Sequence, residues 1–205
     1  MNGKVFVENL ADKLISTEIS ELEVLRYMGG AGADGSIRTL ALQCISECKD
    51  LAKGRVCYAE YPISFDSNDT SIIDLGFCKV KSEKLSRNLF GCERIVLFAA
   101  TVGIGFDRLI SKYSAVSPSR SLCVSAIGTE RIEALCDIFC DELSERYGMT
   151  RSRFSAGYGD LSLSLQIDIF KALECYKNIG VSLNDSIFMT PVKSVTAIVG
   201  VKGGE

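Results

Sequence analysis

The sequence predicts an α+β fold, and three features carry the prediction. Helical and strand-like patterns are interspersed without a regular strand–helix–strand repeat. One helical pattern, residues 120–147, is far longer than the rest, and the short apolar run 94–100 sits between turn signals as a buried strand does. At 205 residues the chain is long enough for a sizeable core and is expected to form a single domain over 1–205, with a helical subregion over 1–54.

Taken in order, Val5 and Val7 around Phe6 begin a short apolar alternation, followed by a weakly amphipathic stretch. Ser20 with Glu23 three residues on makes a capping box, and Ile19 with Val24 a hydrophobic staple, so a helix starts here and stops at Gly29 and Gly30. A glycine-rich turn through Gly35 leads to Ser36. This serine is placed to cap a second helix whose inner face carries Ile37, Leu40, Ala41, Cys44, Ile45, Cys48 and Leu51, with Gly54 as its stop.

Residues 55–65 alternate in part, with Pro62 marking an edge or bend, and a second strand is expected around 72–80. From Ser82 the pattern turns helical, with Leu85 and Leu89 inward and Gly91 as the stop. After strand 94–100, Gly103 and Gly105 form a turn into another helix. They match the first half of a dinucleotide fingerprint, but Arg108 occupies the third glycine's place, and turn geometry alone accounts for them.

The long helix buries Ile127, Ile132, Leu135, Cys136, Phe139 and Leu143. Its acids Glu130, Glu133, Asp137 and Asp141 recur at spacings of three and four, a stripe expected to face water. Gly148 ends it. A further helix is expected over 161–176, with Gly180 as its stop, and β structure around a proline turn from Val181 onward.

Composition narrows the chemistry. Hydrophobic residues are 47% and charged residues 24%, as in an ordinary globular domain, and no apolar run approaches the roughly 20 residues a spanning helix needs, so no membrane partner is expected. The balance of 23 basic to 26 acidic residues, with no basic block, argues against nucleic acid. The start of the chain has no secretory pattern, so a cytoplasmic location is expected, with the nine cysteines kept as thiols. Cys44 with Cys48, and Cys136 with Cys140, share helix faces where thiolates could help bind a metal, but small apolar packing is the expected role. There is no histidine, which removes Ser-His-Asp and Cys-His hydrolases and any histidine metal ligand within this chain.

The stretch 151–160, RSRFSAGYGD, is built to hold something. Arg153 can fork a carboxylate or phosphate through paired hydrogen bonds, and Gly157 and Gly159 around Tyr158 let a flat ligand approach the main chain.

This stretch is also where the chain resembles a known family, the activation domain of cobalamin-dependent methionine synthase, especially its free-standing bacterial relatives. The blocks are EVLRYMG at 23–29, FAATVG at 98–103, IEALCD at 132–137, RFSAGYGD at 153–160 and KSVTAIVG at 193–200. The family's Arg-x-x-x-Gly-Tyr signature falls on Arg153, Gly157 and Tyr158. The resemblance implies a twisted antiparallel sheet with flanking helices and S-adenosylmethionine as ligand. Arg153 would grip the methionine carboxylate, and Phe154, Ser155, Ala156, Gly157 and Tyr158 would offer backbone and ring to the ligand. Glu133 would accept from ribose hydroxyls or offset the sulfonium.

It further implies reductive methylation of a cobalamin carried by a partner, a methionine synthase or other corrinoid protein, with flavodoxin or a similar carrier supplying the electron. Two positions depart from the family: Ser20 stands where an acidic ligand contact is expected, and Val199 where an aromatic is. An alternative is therefore a docking module that binds a corrinoid protein without methyl transfer. A third reading, an independent small-molecule methyltransferase, lacks an evident acid/base pair.

Overall fold

The structure is a computed structural model describing residues 3–29 and 35–202. Strand β1 (Phe6–Asn9) and helices α1 (Ala11–Ser16), α2 (Glu21–Tyr27) and α3 (Gly35–Cys48) precede β2 (Arg55–Pro62). Short strands β3 (Ser64–Phe65), β4 (Ile72–Asp74) and β5 (Lys79–Lys81) lead to α4 (Glu83–Leu89) and β6 (Arg94–Thr101). Helices α5 (Gly105–Ser114), α6 (Pro118–Tyr147), α7 (Leu165–Leu173) and α8 (Cys175–Ile179) follow, then β7 (Ser182–Leu183), β8 (Met189–Thr190) and β9 (Ser194–Val201).

The organising sheet is antiparallel throughout, in the order β1-β2-β6-β9, with helices on both faces. Because strand side chains alternate, β6 sends Val96, Phe98 and Ala100 to one face and Ile95, Leu97 and Ala99 to the other. Both faces are covered, which is why 94–100 reads as an unbroken apolar run rather than an alternation. On the first face α1, α2, α3, α5 and α6 bring Leu14, Val24, Cys44, Phe106 and Phe139. Phe139 stacks at an angle on Phe98 and Tyr58, with ring centres 5.0 and 5.3 Å away. On the second face α4, α7, α8 and the small β3-β4-β5 sheet bring Leu85, Ile169, Cys175 and Ile73.

Several expectations are corrected. Helix α3 already includes Gly35, so Ser36 lies in its first turn rather than outside it as a cap; Gly30 and residues 31–34 of the glycine-rich turn fall outside the described residues. It ends at Cys48, six residues before Gly54. Gly54 instead sits where a Cβ would come within 2.9 Å of Leu135. The strand expected over 72–80 is the hairpin β4-β5, turned at Gly76, whose N–H donates to Asp74 Oδ1 at 2.9 Å. The helix over 161–176 is two: Glu174 adopts φ 45° and ψ 47°, which re-aims the chain between α7 and α8 so that both Leu173 and Cys175 stay buried. Pro62 marks a bend, being the last residue of β2 before the chain leaves for the second sheet.

Along the acidic stripe on α6, Asp137 and Asp141 face water as expected and Glu133 is half-buried, but Glu130 is not water-facing. Glu130 is 7% exposed and its neighbour Arg131 3%. The Arg131 Nε and Nη2 donate to the two Glu130 oxygens at 2.5 and 2.6 Å, and the remaining donors reach the carbonyls of Leu14, Thr17 and Glu18 and the Thr17 hydroxyl. Glu130 additionally accepts from the Ser20 N–H at 3.2 Å. That is the bond a capping box would have given to Glu23, which pairs with Arg26 instead, while Ser20 Oγ still accepts from Glu23 N–H.

Removing one member of such a pair leaves a buried charge alone, and Glu130→Ala is expected to lower unfolding free energy by about 3 to 5 kcal/mol. Urea denaturation measures it; Lys13→Ala, which breaks an exposed bridge to Glu142, serves as the control and should shift the midpoint little.

Candidate functional site

Helix α6 stops at Gly148, where φ is 77°, and the chain returns along the outer edge of β9. Thr150 bridges Val201 and Phe154 bridges Ile198, and the Arg151 N–H donates to the Gly200 carbonyl at 2.8 Å. Phe154 exchanges both of its backbone hydrogen bonds with Ile198 at 2.9 Å and buries its ring against the second face. Its main chain is therefore committed to the sheet. The chain then turns tightly: Tyr158 N–H donates to Ser155 O, Gly157 N–H to Leu161 O, and Leu161 N–H to Tyr158 O. Gly157 and Gly159 have φ of 84° and 65°, and a Cβ on Gly159 would meet the Lys84 side chain at 2.5 Å, so both positions call for glycine. The amides of Ser155 and Ala156 remain without a partner among the described residues. Tyr158 stands 66% exposed, its ring edge-on to Phe154 at 5.2 Å.

The polar side chains of this loop divide into anchors and site. Asp160 accepts from Ser82 Oγ at 2.5 Å, Glu83 N–H at 2.7 Å and Lys84 N–H at 3.3 Å, thereby capping α4 from outside. Arg151 donates to the Phe90 carbonyl at the other end of α4, at 2.7 Å. Asn88 reaches the Ser152 carbonyl at 3.1 Å. The Thr150 hydroxyl shares a 2.7 Å hydrogen bond with that of Ser144 near the end of α6, and Arg153 turns toward the acids of the same helix.

There its Nη2 meets Glu133 Oε2 at 2.6 Å, and its Nη1 meets Asp137 Oδ1. The two acids are one helical turn apart, so one flat guanidinium spans both. Burial acts to lower the Arg153 pKa, but the carboxylates, Asp137 foremost, hold it above its ordinary value. The fork is 27% exposed, Glu133 41% and Asp137 66%, and Glu133 Oε1 and Asp137 Oδ2 have no partner among the described residues. The result is one cation between two anions, net −1, with a free oxygen on each carboxylate; the open amides at 155 and 156 follow along the chain, and the exposed Tyr158 ring stands against Phe154. Such a surface suits a ligand carrying hydroxyls and positive charge, and an anion only by exchange with one of the acids.

Other positions singled out in the sequence lie elsewhere. The Ser20 hydroxyl caps α2, and Val199 is 1% exposed in the first-face core. Gly105 lies where a Cβ would come within 2.8 Å of the Leu51 side chain, so packing accounts for it. Cys44, Cys48 and Cys136 are buried, with Cys140 half-buried; burial pushes all four thiols up, Cys48 to about 12. Among the described residues no group of three or more acids and thiols is arranged to hold a metal, and no helix is long and apolar enough to cross a membrane. Asp137 and Asp160 were not expected to take part. Asp137 could have been found from its four-residue spacing to Glu133, whereas Asp160 acts on a helix 76 to 78 positions away and leaves no local signal.

Neither a family model nor a curated protein matches the sequence. A solved structure does match: the crystal structure of the MetH reactivation domain bound to AdoHcy aligns with a TM-score of 0.73 at 14% identity, covering 100% of this chain and 80% of that one. The chain therefore has the methionine synthase activation-domain fold, an antiparallel sheet with flanking helices.

The hydrogen bond from Ser82, with those from Glu83 and Lys84, holds the Asp160 carboxyl below its ordinary value of 3.8. A depressed folded-state pKa contributes stability that is present above the unfolded value and lost as pH falls through the folded one. The stability difference between wild type and Asp160→Asn should therefore be complete at neutral pH and shrink below about pH 4. Urea midpoints of both proteins across pH 3 to 7 check this.

Proposed function

We propose that this chain, acting as a single unit over residues 1–205, binds S-adenosylmethionine and serves the reactivation of a cobalamin-dependent methionine synthase carried on another protein. The observation supporting it is the full-length likeness to a domain whose structure holds AdoHcy, joined to the RFSAGYGD loop at 153–160 lying against two acids of α6. AdoHcy is what S-adenosylmethionine becomes on giving up its methyl group.

In this reading Arg153 grips the methionine carboxylate, Glu133 offers its free oxygen to the ribose hydroxyls or the sulfonium, and the Ser155 and Ala156 amides serve the adenine or amino-acid portion. Gly157 allows the close approach, Tyr158 presents a face to the base, and Phe154 pins the loop and holds Tyr158 edge-on. The partner's corrinoid, once reduced by an electron from flavodoxin or a similar carrier, supplies the nucleophile that takes the methyl group. This chain's contribution is positioning, which makes the transfer effectively intramolecular and requires no side-chain base. A histidine-free composition is compatible with that role. Nine free cysteines fit the cytoplasm as its place.

One set of observations favours a second reading, a docking module that binds a corrinoid protein without donating a methyl group. The Arg153 fork is already filled by Glu133 and Asp137, the Ser20 hydroxyl is engaged as a cap, and Val199 is in the core. Methyl-labelled S-adenosylmethionine, mixed with this chain and a corrinoid partner under reducing conditions, separates the two: label on the corrinoid supports reactivation, while a stable complex without label supports docking alone.

Calorimetric titration with S-adenosylmethionine is expected to show binding that Arg153→Ala weakens by about ten- to a hundredfold, as for loss of a partly desolvated charged hydrogen bond. Equal affinity in the two proteins would remove Arg153 from the site.

A further inference from the structure

Arg153 faces a competition that the amino-acid end of the ligand must win. Its two forks are taken by Glu133 and Asp137, but not equivalently: Glu133 is 41% exposed and Asp137 66%. The more solvated carboxylate gives up less when it leaves, because water replaces its hydrogen bond at little cost. Asp137 is thus the acid that yields, and α6 keeps it within reach after it does.

We propose that Asp137 is a specificity-determining residue that exchanges partners with the zwitterionic end of the ligand; this rests on the assignment of the ligand carboxylate to Arg153. In the empty site Asp137 shares Arg153 with Glu133. On binding, the ligand carboxylate takes the Nη1 fork, Glu133 keeps Nη2, and the displaced Asp137 receives the ligand ammonium, which sits on the same carbon as the carboxylate and so arrives beside it. Every charged group keeps an oppositely charged neighbour before and after, the zwitterion adds no net charge, and no covalent bond is made or broken. A ligand with the carboxylate alone must expel Asp137 and gives it nothing in return. A ligand with the ammonium alone can meet the free Asp137 Oδ2 but leaves the Arg153 pair closed and gains nothing from the guanidinium. The site therefore selects a free α-amino acid end, independently of whether the sulfur bears a methyl group.

The test compares S-adenosylhomocysteine with its deaminated analogue, in which hydrogen replaces the α-ammonium, by calorimetric titration of wild type, Asp137→Ala, Asp141→Ala and Arg153→Ala. Wild type is expected to favour the zwitterion by roughly fivefold, the scale of one partly exposed ion pair. In Asp137→Ala the ratio falls to about one, since the deaminated ligand loses its competitor while the zwitterion loses its ammonium partner. Asp141→Ala, which removes the next acid along the exposed side of α6, leaves the wild-type ratio in place and excludes a general charge effect. An unchanged ratio in Asp137→Ala, with binding weakened in Arg153→Ala, overturns the exchange and leaves the carboxylate site standing. If wild type binds neither ligand, the site assignment fails and the exchange with it.

Discussion

The buried pairing of Glu130 with Arg131 is the constraint on which the placement of the amino-terminal helices rests. Two ions out of water cost several kcal/mol each unless their hydrogen-bonding capacity is filled. Here the chain fills it with its own main chain. The Arg131 fork collects the carbonyls of Leu14, Thr17 and Glu18, at the end of α1 and in the linker after it, while Glu130 takes the Ser20 N–H at the entry to α2. Hydrophobic contact would let α1 and α2 slide over α6. These directional bonds admit one register.

The same helix continues that role along its length. From one side of α6, Gly128 lets Lys193 lie close before β9, and Lys193 donates to Ser125 and Thr129. One and two turns beyond the buried pair, Glu133 and Asp137 receive Arg153. A 30-residue helix spans about 45 Å at 1.5 Å per residue, enough for one rigid body to fix both the amino-terminal helices and the loop after it. Because α4 holds that loop at both ends, through Asp160 and Arg151, Arg153 has little freedom except in its own side chain. A site built in this way is preorganised by elements that never touch a ligand.

Local signals in the sequence were translated faithfully where local physics decides. The Ser82 cap, the Gly91 stop, the buried strand at 94–100, the turn at Gly103 and the long helix ended by Gly148 are each set by propensity, capping or burial within a few residues. What could not be read depends on partners far along the chain. Glu130 looks like any surface acid until the linker at 17–20 folds over it. Asp160 looks like the end of a glycine turn until Ser82 is seen beside it. Arg153 was recognisable as a fork, but not that two acids of the preceding helix already occupy it. Glu174 in a left-handed conformation, which splits one amphipathic pattern into α7 and α8, has no sequence signal that glycine or asparagine would have given.

The bridges at Thr150 and Phe154 carry a consequence for how this protein meets its own copies. Without them β9, eight residues long and apolar, would offer a bare row of amides and carbonyls on which another chain could zip. The returning loop occupies that row, and the sheet's other margin, β1, is only four residues long, follows shortly after Lys4 and carries Glu8. The segment with the candidate fork thus also guards solubility, so altering it freely to change what it grips carries the risk of uncovering an adhesive edge.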